Sequence, residues 1–468
     1  MALATVRAPS LPWPASCSDG LMRCDFDRGT IVLRDLPEDL ASGLPGVTWD
    51  DRVGAHRAAA CEWPALRAML AVHGLDGSLP GHLAPLEGDL RMPDLRGYQR
   101  AALDTWRSCG QRGVVVLPTG AGKTRVALAA IATLRLPTLV LVPTRVLMAQ
   151  WVEALMALGG GPVGRLGDTH RTVEPLTVAT YESAWRHSAG IGDRFGLIVV
   201  DEAHHVGGAM RAEPLEMSLA PFRLGLTALP PGARVGSRID ELVGPVVFAL
   251  RVSDLAGSLA PIRLVGIGLD LSPEERARWM GDMSRYRAER SRHALESFGR
   301  PWRMITALLA QSHEGRCALA ARSRAASLAS FTTAKALVLA AILGAHREDR
   351  TIVFTRDNAS AHAISRAHLI PAVTCDMRPR ERREVLAAFA RGDVRALVSA
   401  RVLDEGVDVP EARVAVIVGA GRSERQHVQR VGRILRPAPG KRAIVYDIFN
   451  LEAGEAMRAS GRRAAVAS

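Results

Sequence analysis

The sequence predicts an α/β protein: two doubly wound parallel-sheet lobes behind a small N-terminal α/β module. Three observations carry that prediction. Short runs such as residues 139–142 and 414–418 are apolar at every position, the pattern of strands covered by helices on both faces. They alternate with amphipathic helical stretches, and the alternation restarts in the second half of the chain. A chain of 468 residues also exceeds what one hydrophobic core normally holds.

Residues 1–90 form the first unit, rich in Pro, Gly and Asp. It has a strand-like run at 29–33 and a helical pattern from Ala58 to His73, and it ends in a Gly/Pro linker near 77–81. The first lobe is expected over 91–260. Its strands are expected at 113–117, 138–142, 176–180 and 195–200, with helices at 124–134 and 146–158 between them. Residues 261–334 are expected as a basic helical linker or insertion. A second lobe follows over 335–468, with strands near 350–354, 394–398, 414–418 and 442–446.

The net charge is +12, but only three of the 60 basic residues are lysine, so the total reflects a general arginine bias. Its distribution says more. Residues 1–90 carry a net −5, whereas residues 271–330 carry +5 and residues 421–468 carry +6. An acidic head and two basic stretches suit a chain that lays a polyanion along its later parts, solvated helix faces being the plain alternative. Six scattered cysteines without a CxxC argue for reduced thiols rather than zinc. No signal-like order of charged and apolar regions opens the chain, and no membrane-spanning run is expected. These features lead to the expectation of a cytoplasmic protein.

The chemistry concentrates in short strings. Pro118-Thr119-Gly120-Ala121-Gly122-Lys123-Thr124 follows an apolar strand and opens a helix. Gly120, Ala121 and Gly122 let backbone N–H groups converge on phosphate oxygens, Lys123 reaches the β- and γ-phosphates, and the Thr124 hydroxyl is placed for Mg²⁺. Leu117 stands where the generic phosphate loop has its first glycine. Asp201 and Glu202 lie 78 and 79 residues beyond Lys123, at the end of another apolar strand. There Asp201 can hold the metal and Glu202 can orient and deprotonate the attacking water. His204 and His205 lack a third metal ligand, and His204 is expected to link the site to the other lobe.

These strings, in this order, resemble superfamily 2 helicases and translocases, with Asp201-Glu202-Ala203-His204 in the DEAH form. Within them the chain is similar to the XPB-type DNA repair helicase branch, over about residues 95–450. The resemblance implies two RecA-like lobes and an ATPase stimulated by nucleic acid, with ATP as substrate and Mg²⁺ as cofactor. It places Gln99 on the adenine, and Arg145, Thr180, Thr355 and Ser399 among nucleic-acid contacts. Gly225-Leu226-Thr227-Ala228 becomes the motif coupling hydrolysis to movement, and Gly406 and Asp408 join the nucleotide site. Gln429 acts with Arg433 and Arg436, the arginine fingers of the QRxGRxxR string. The coupling motif departs from the family pattern, since Leu229 follows Thr227-Ala228 where a threonine is usual. The Arg-Glu-Asp string of the branch is missing after that motif; the copy at Arg347-Glu348-Asp349 falls before the fourth motif.

The N-terminal module resembles the domain that in this branch is associated with sensing distorted DNA. Its acidic charge equally suits docking on a lobe. The expected function is an ATP-dependent DNA helicase or translocase of repair type, a monomer with DNA as its partner. RNA-dependent ATPase activity, a motor subunit with a nuclease partner, and a non-catalytic ATP-switched clamp are the alternatives.

Overall fold

The computed structural model describes residues 22–75, 83–228, 230, 232–251, 253–255, 262–293, 302–400, 412–419, 443–452, 455 and 459–460. Leu229, Gly406, Asp408, Gln429, Arg433 and Arg436 lie outside the described residues.

The N-terminal module is an antiparallel sheet of β1 (Arg23–Asp27), β2 (Thr30–Arg34), β3 (Thr48–Asp50) and β4 (Ala55–Ala59), in order β1-β2-β4-β3. Alongside it lie α1 (Glu38–Ala41) and α2 (Trp63–Val72). The helix expected from Ala58 therefore begins later. Residues 56–59 pair with β2 as a strand, and Pro64, at the helix start where its missing N–H costs nothing, sets the true boundary. The module docks on the first lobe. Leu219 packs against its core, and Cys61 packs into the core of the lobe. At Gly192 a Cβ would strike both the Met217 carbonyl and the Phe26 ring, so only glycine lets the two surfaces approach this closely.

The first lobe contains α3 (Gly97–Ser108), β5 (Arg112–Val116), α4 (Lys123–Leu134), β6 (Thr138–Val142), α5 (Arg145–Leu158), β7 (Val163–Gly167), β8 (His170–Thr172) and β9 (Leu176–Thr180). It continues through α6 (Tyr181–Ile191), β10 (Leu197–Asp201), α7 (Ala209–Glu216), β11 (Phe222–Thr227), α8 (Ala233–Leu242) and β12 (Val246–Ala249). The sheet order is β12-β5-β11-β10-β6-β9-β7-β8, parallel except for the β7–β8 hairpin. The apolar faces of the central strands feed two cores, one on each side of the sheet.

The second lobe is a six-stranded parallel sheet in order β13-β18-β17-β14-β16-β15. Its strands are β13 (Ile262–Leu269), β14 (Thr351–Thr355), β15 (Ala372–Val373), β16 (Ala396–Ala400), β17 (Val414–Val418) and β18 (Ala443–Asn450). Thus residues 262–269, expected as part of a helical linker, form an edge strand of this lobe. Only after it does the chain become helical, in α9 (Pro273–Arg292), α10 (Trp302–Leu309), α11 (His313–Ser330) and α12 (Thr333–Ala345). The helices α13 (Asn358–His368) and α14 (Pro379–Arg391) complete the described part.

Ser272 opens α9 with a capping box to Glu275, and the Glu275 carboxylate also accepts from Thr333, tying α9 to α12. By length and composition the stretch His313–Ala345 would suffice to cross a membrane, contrary to the sequence expectation. It is two helices, broken where Phe331 turns extended, with Lys335 fully buried and paired to Glu455 at 2.9 Å. Alanines at 318, 321, 325 and 329 form its buried face, so its apolarity serves packing within the lobe.

Candidate active site

The order of strands in the first lobe ranks the motifs in space. The central strands are parallel, so their C-terminal ends share one edge of the sheet. Along that edge stand, in turn, the phosphate loop after β5, Thr227 ending β11, Asp201 ending β10, Thr144 and Arg145 after β6, and Thr180 ending β9. Five adjacent strands at about 4.8 Å spacing spread these groups over roughly 19 Å. The row runs from nucleotide groups to expected nucleic-acid groups, with the acidic pair between them.

The phosphate loop is shaped by Gly120 and Gly122, both at positive φ (85° and 79°), and α4 starts directly after Gly122. A Cβ on Gly122 would meet the Gln99 amide. The Thr119 hydroxyl is buried with no hydrogen-bond partner, and Lys123 Nζ donates to the Leu117 carbonyl at 3.2 Å, folded across its own loop. An orphaned hydroxyl, a lysine parked on a main-chain oxygen and a helix N-terminus fit a phosphate chain. Gln99 stands differently from expectation. It is 2% exposed, its Oε1 accepts from Arg96 N and its Nε2 donates to the Ala121 carbonyl at 2.7 Å. Tyr98 Oη donates to the same carbonyl at 3.0 Å. Both ends of the Gln99 amide are thus engaged in bracing the loop rather than presented to a base.

Asp201 is buried, and both its carboxylate oxygens accept a hydrogen bond. Oδ1 takes the Glu202 main-chain N–H at 3.0 Å, and Oδ2 takes the indole N–H of Trp151 at 2.8 Å. Burial pushes the carboxyl up from its ordinary range, while the Trp151 hydrogen bond and then the Lys123 charge pull it back. Each oxygen keeps lone-pair capacity, so together with Thr124, Asp201 fits a divalent cation. Glu202 follows in a left-handed conformation, φ 50°, which turns its side chain away from the strand line.

His204 Nδ1 lies 3.1 Å from Thr227 Oγ1 and 3.4 Å from Glu202 Oε2. Within the first lobe, His204 thus joins the acidic string to Thr227 on the neighbouring strand. Adjacent strands β10 and β11 leave Thr227 within reach of a side chain three residues past Asp201.

The expected nucleic-acid contacts divide. Arg145 is exposed and ion-paired with Asp168 at 2.8 Å, at the start of α5. Thr180 is nearly buried, and its hydroxyl caps α6 by accepting from Ser183 N. Thr355 and Ser399 are fully buried, which corrects their assignment as direct contacts. The Thr355 hydroxyl donates to the Asp357 carbonyl at 3.1 Å, and Ser399 lies within β16, paired with Phe354 on one side and Val373 on the other. Sequence reasoning missed Trp151 altogether. Its only signal was an indole on the apolar face of α5, whose acceptor lies 50 residues away.

A glycine-shaped loop opening a helix, an acidic strand end and a threonine closing the strand between them, on a sheet of this order, fit the ATPase lobe of a superfamily 2 helicase with two RecA-like lobes. Family models agree along the chain: the type III restriction enzyme res subunit over residues 92–232, the helicase conserved C-terminal domain over 334–438, and the Xeroderma pigmentosum group B helicase damage recognition domain over 25–77. The chain is 34% identical over 417 residues to the DNA 3'-5' translocase XPB2 of Sulfurisphaera tokodaii, covering 86% of this chain and 92% of that protein. It is 29% identical to the DNA 3'-5' helicase XPB of Mycobacterium tuberculosis, covering 86% of this chain and 67% of the relative. The Hef helicase domain of Pyrococcus furiosus shares the fold, with a TM-score of 0.52 at 20% identity over 80% of this chain and all of that domain. The chain belongs to the XPB family of helicases.

Proposed function

We propose that this protein is an ATP-dependent DNA translocase or helicase of repair type, moving 3'-to-5' as the names of its relatives state of them. The observation that best supports it is the single row of groups along the edge of the first lobe, with Asp201 and Glu202 between the phosphate loop and the N-termini of α5 and α6. Membership of the XPB family favours DNA over RNA. A nuclease partner and a cytoplasmic location remain proposals carried by the sequence reading alone.

The groups present divide the work. Lys123 leaves the Leu117 carbonyl to neutralise charge on the β- and γ-phosphates, while main-chain N–H groups after Gly120 and Gly122 hold the phosphate oxygens. Thr124 and Asp201 would hold Mg²⁺, which when bound offsets charge on the phosphate chain. Glu202 orients the attacking water and takes its proton. His204 relates the state of Glu202 to Thr227 and so to the coupling motif. Arg433 and Arg436 from the second lobe meet the charge that develops on the transferring phosphoryl group. Contacts to a DNA strand through main chain, Thr144 and Arg145 would be indifferent to sequence.

Steady-state ATP turnover measured with duplex DNA, single-stranded DNA and RNA tests the proposal. DNA should stimulate turnover well above RNA, and Lys123→Ala should abolish it. Equal stimulation by RNA, or turnover indifferent to any nucleic acid, would reject the reading.

A further inference from the structure

Asp201 is held by more than its own strand. Trp151, six residues into α5 from Arg145, donates its indole N–H to Asp201 Oδ2 at 2.8 Å. Tyr181, the first residue of α6 and the neighbour of Thr180, donates its hydroxyl to the main-chain carbonyl of Asp201 at 2.9 Å. Both side chains are buried. The two helices reaching Asp201 are therefore the two whose N-terminal turns, at Thr144–Arg145 and at Thr180, lie next along the sheet edge toward the expected nucleic acid.

Core packing explains part of this. Buried aromatic rings supply apolar area, and a buried N–H or O–H must find some acceptor. Packing does not require both donors to converge on one residue, nor that one of them, Trp151, should take the carboxylate assigned to the metal. Trp106 in the same lobe shows the bland case, its indole donating to the Arg223 carbonyl at 3.0 Å, away from any site residue.

We propose that Trp151 and Tyr181 are positioning residues that transmit the seating of a nucleic-acid strand on α5 and α6 to Asp201. The inference rests on the motor reading above. A strand that fixes the first turn of α5 also fixes Trp151, about 9 Å further along a rigid helix. The indole then sets the rotation of the carboxylate, and the Tyr181 hydroxyl sets the height of its backbone. Nucleic acid would thereby tighten the Mg²⁺-nucleotide site with no contact to it, and nucleotide would tighten grip on the strand by the same factor.

The test uses the full-length chain and the variants Trp151→Phe, Tyr181→Phe and Trp106→Phe. Affinity for a fluorescent non-hydrolysable ATP analogue is measured with and without single-stranded DNA, together with the Mg²⁺ midpoint of that binding and the melting temperature. Trp151→Phe should raise the Mg²⁺ midpoint roughly tenfold, the scale of a lost hydrogen bond to a charged group. It should also bring the effect of DNA on nucleotide affinity to within about twofold of none. Tyr181→Phe should move both readouts the same way by less, and it carries the test alone should Trp151→Phe fail to fold. Trp106→Phe should lower the melting temperature and leave both readouts at wild type. The inference is overturned if Tyr181→Phe and Trp151→Phe keep the wild-type midpoint and DNA effect, or if Trp106→Phe loses as much. If DNA fails to stimulate the ATPase of the wild-type protein, the motor reading falls first and takes this inference with it.

Discussion

Glu202 and His204 sit two residues apart and pull in different directions. Glu202 leaves the strand in a left-handed conformation, and His204 turns back to Thr227 at 3.1 Å while staying 3.4 Å from the Glu202 carboxylate. A proton-accepting role for Glu202 predicts that Glu202→Gln keeps nucleotide affinity and lowers turnover by about 10²–10⁴-fold, the span of general-base catalysis. Single-turnover ATP hydrolysis alongside equilibrium nucleotide binding checks this; normal hydrolysis would remove Glu202 from the role. His204 predicts a different signature, since its partners are Glu202 and the coupling motif. His204→Ala should leave ATP affinity within a few-fold and reduce base pairs opened or travelled per ATP more than it reduces ATP turnover. An unchanged ratio of movement to hydrolysis would make the 3.1 Å contact merely structural.

At the scale of elements, what was legible followed from continuity of pattern. The strands β6, β9, β10, β14 and β17 are short, mainly apolar runs buried at every position, and their observed limits fall within about two residues of expectation. Strand β13 was not legible because Arg263, Gly266 and Gly268 break its apolar run and an arginine-rich helix follows. The β7–β8 hairpin was hidden for a related reason, its second strand being His170-Arg171-Thr172, polar and exposed throughout. At the site, the phosphate loop and acidic pair could be found because their chemistry is local in sequence. The placement of Thr355 and Ser399 could not, because a small hydroxyl near a strand end projects or is buried according to the loops around it. The basic helices give this scale its prediction. Arg278, Arg285 and Arg287 are exposed on α9, and Arg287 lies over the Trp279 ring at 6.0 Å. If this face tracks a phosphate backbone, replacing all three with glutamine should weaken single-stranded DNA binding and lower the slope of log affinity against log salt by about 0.7 for each lost contact. A salt slope equal to wild type would mark α9 as a solvated face.

At the scale of the whole molecule, the first lobe holds every described group that touches the hydrolysis site, and the chain still needs a second lobe. Arg433 and Arg436 lie 310 and 313 residues beyond Lys123, in the span matched by the helicase C-terminal model. Read as the arginine fingers proposed above, they would act on the γ-phosphate only with the second lobe closed over the edge of the first. A planar guanidinium delivered this way stabilises charge that exists only in the transition state, so its loss should fall on turnover and spare binding. Arg433→Ala or Arg436→Ala should therefore leave ATP affinity within a few-fold and cut DNA-stimulated turnover by about 10³-fold or more, as removal of an arginine finger does in related NTPases. The N-terminal module, docked on the first lobe through Cys61, Phe26 and Leu219, should not alter that split, since it packs on the lobe that does not supply the arginines. Equilibrium ATP binding, DNA binding and stopped-flow hydrolysis on the same variants separate the cases. Should both substitutions weaken DNA binding while each bound complex turns over ATP at the wild-type rate, the QRxGRxxR string is a strand contact and the site composed from two lobes is wrong.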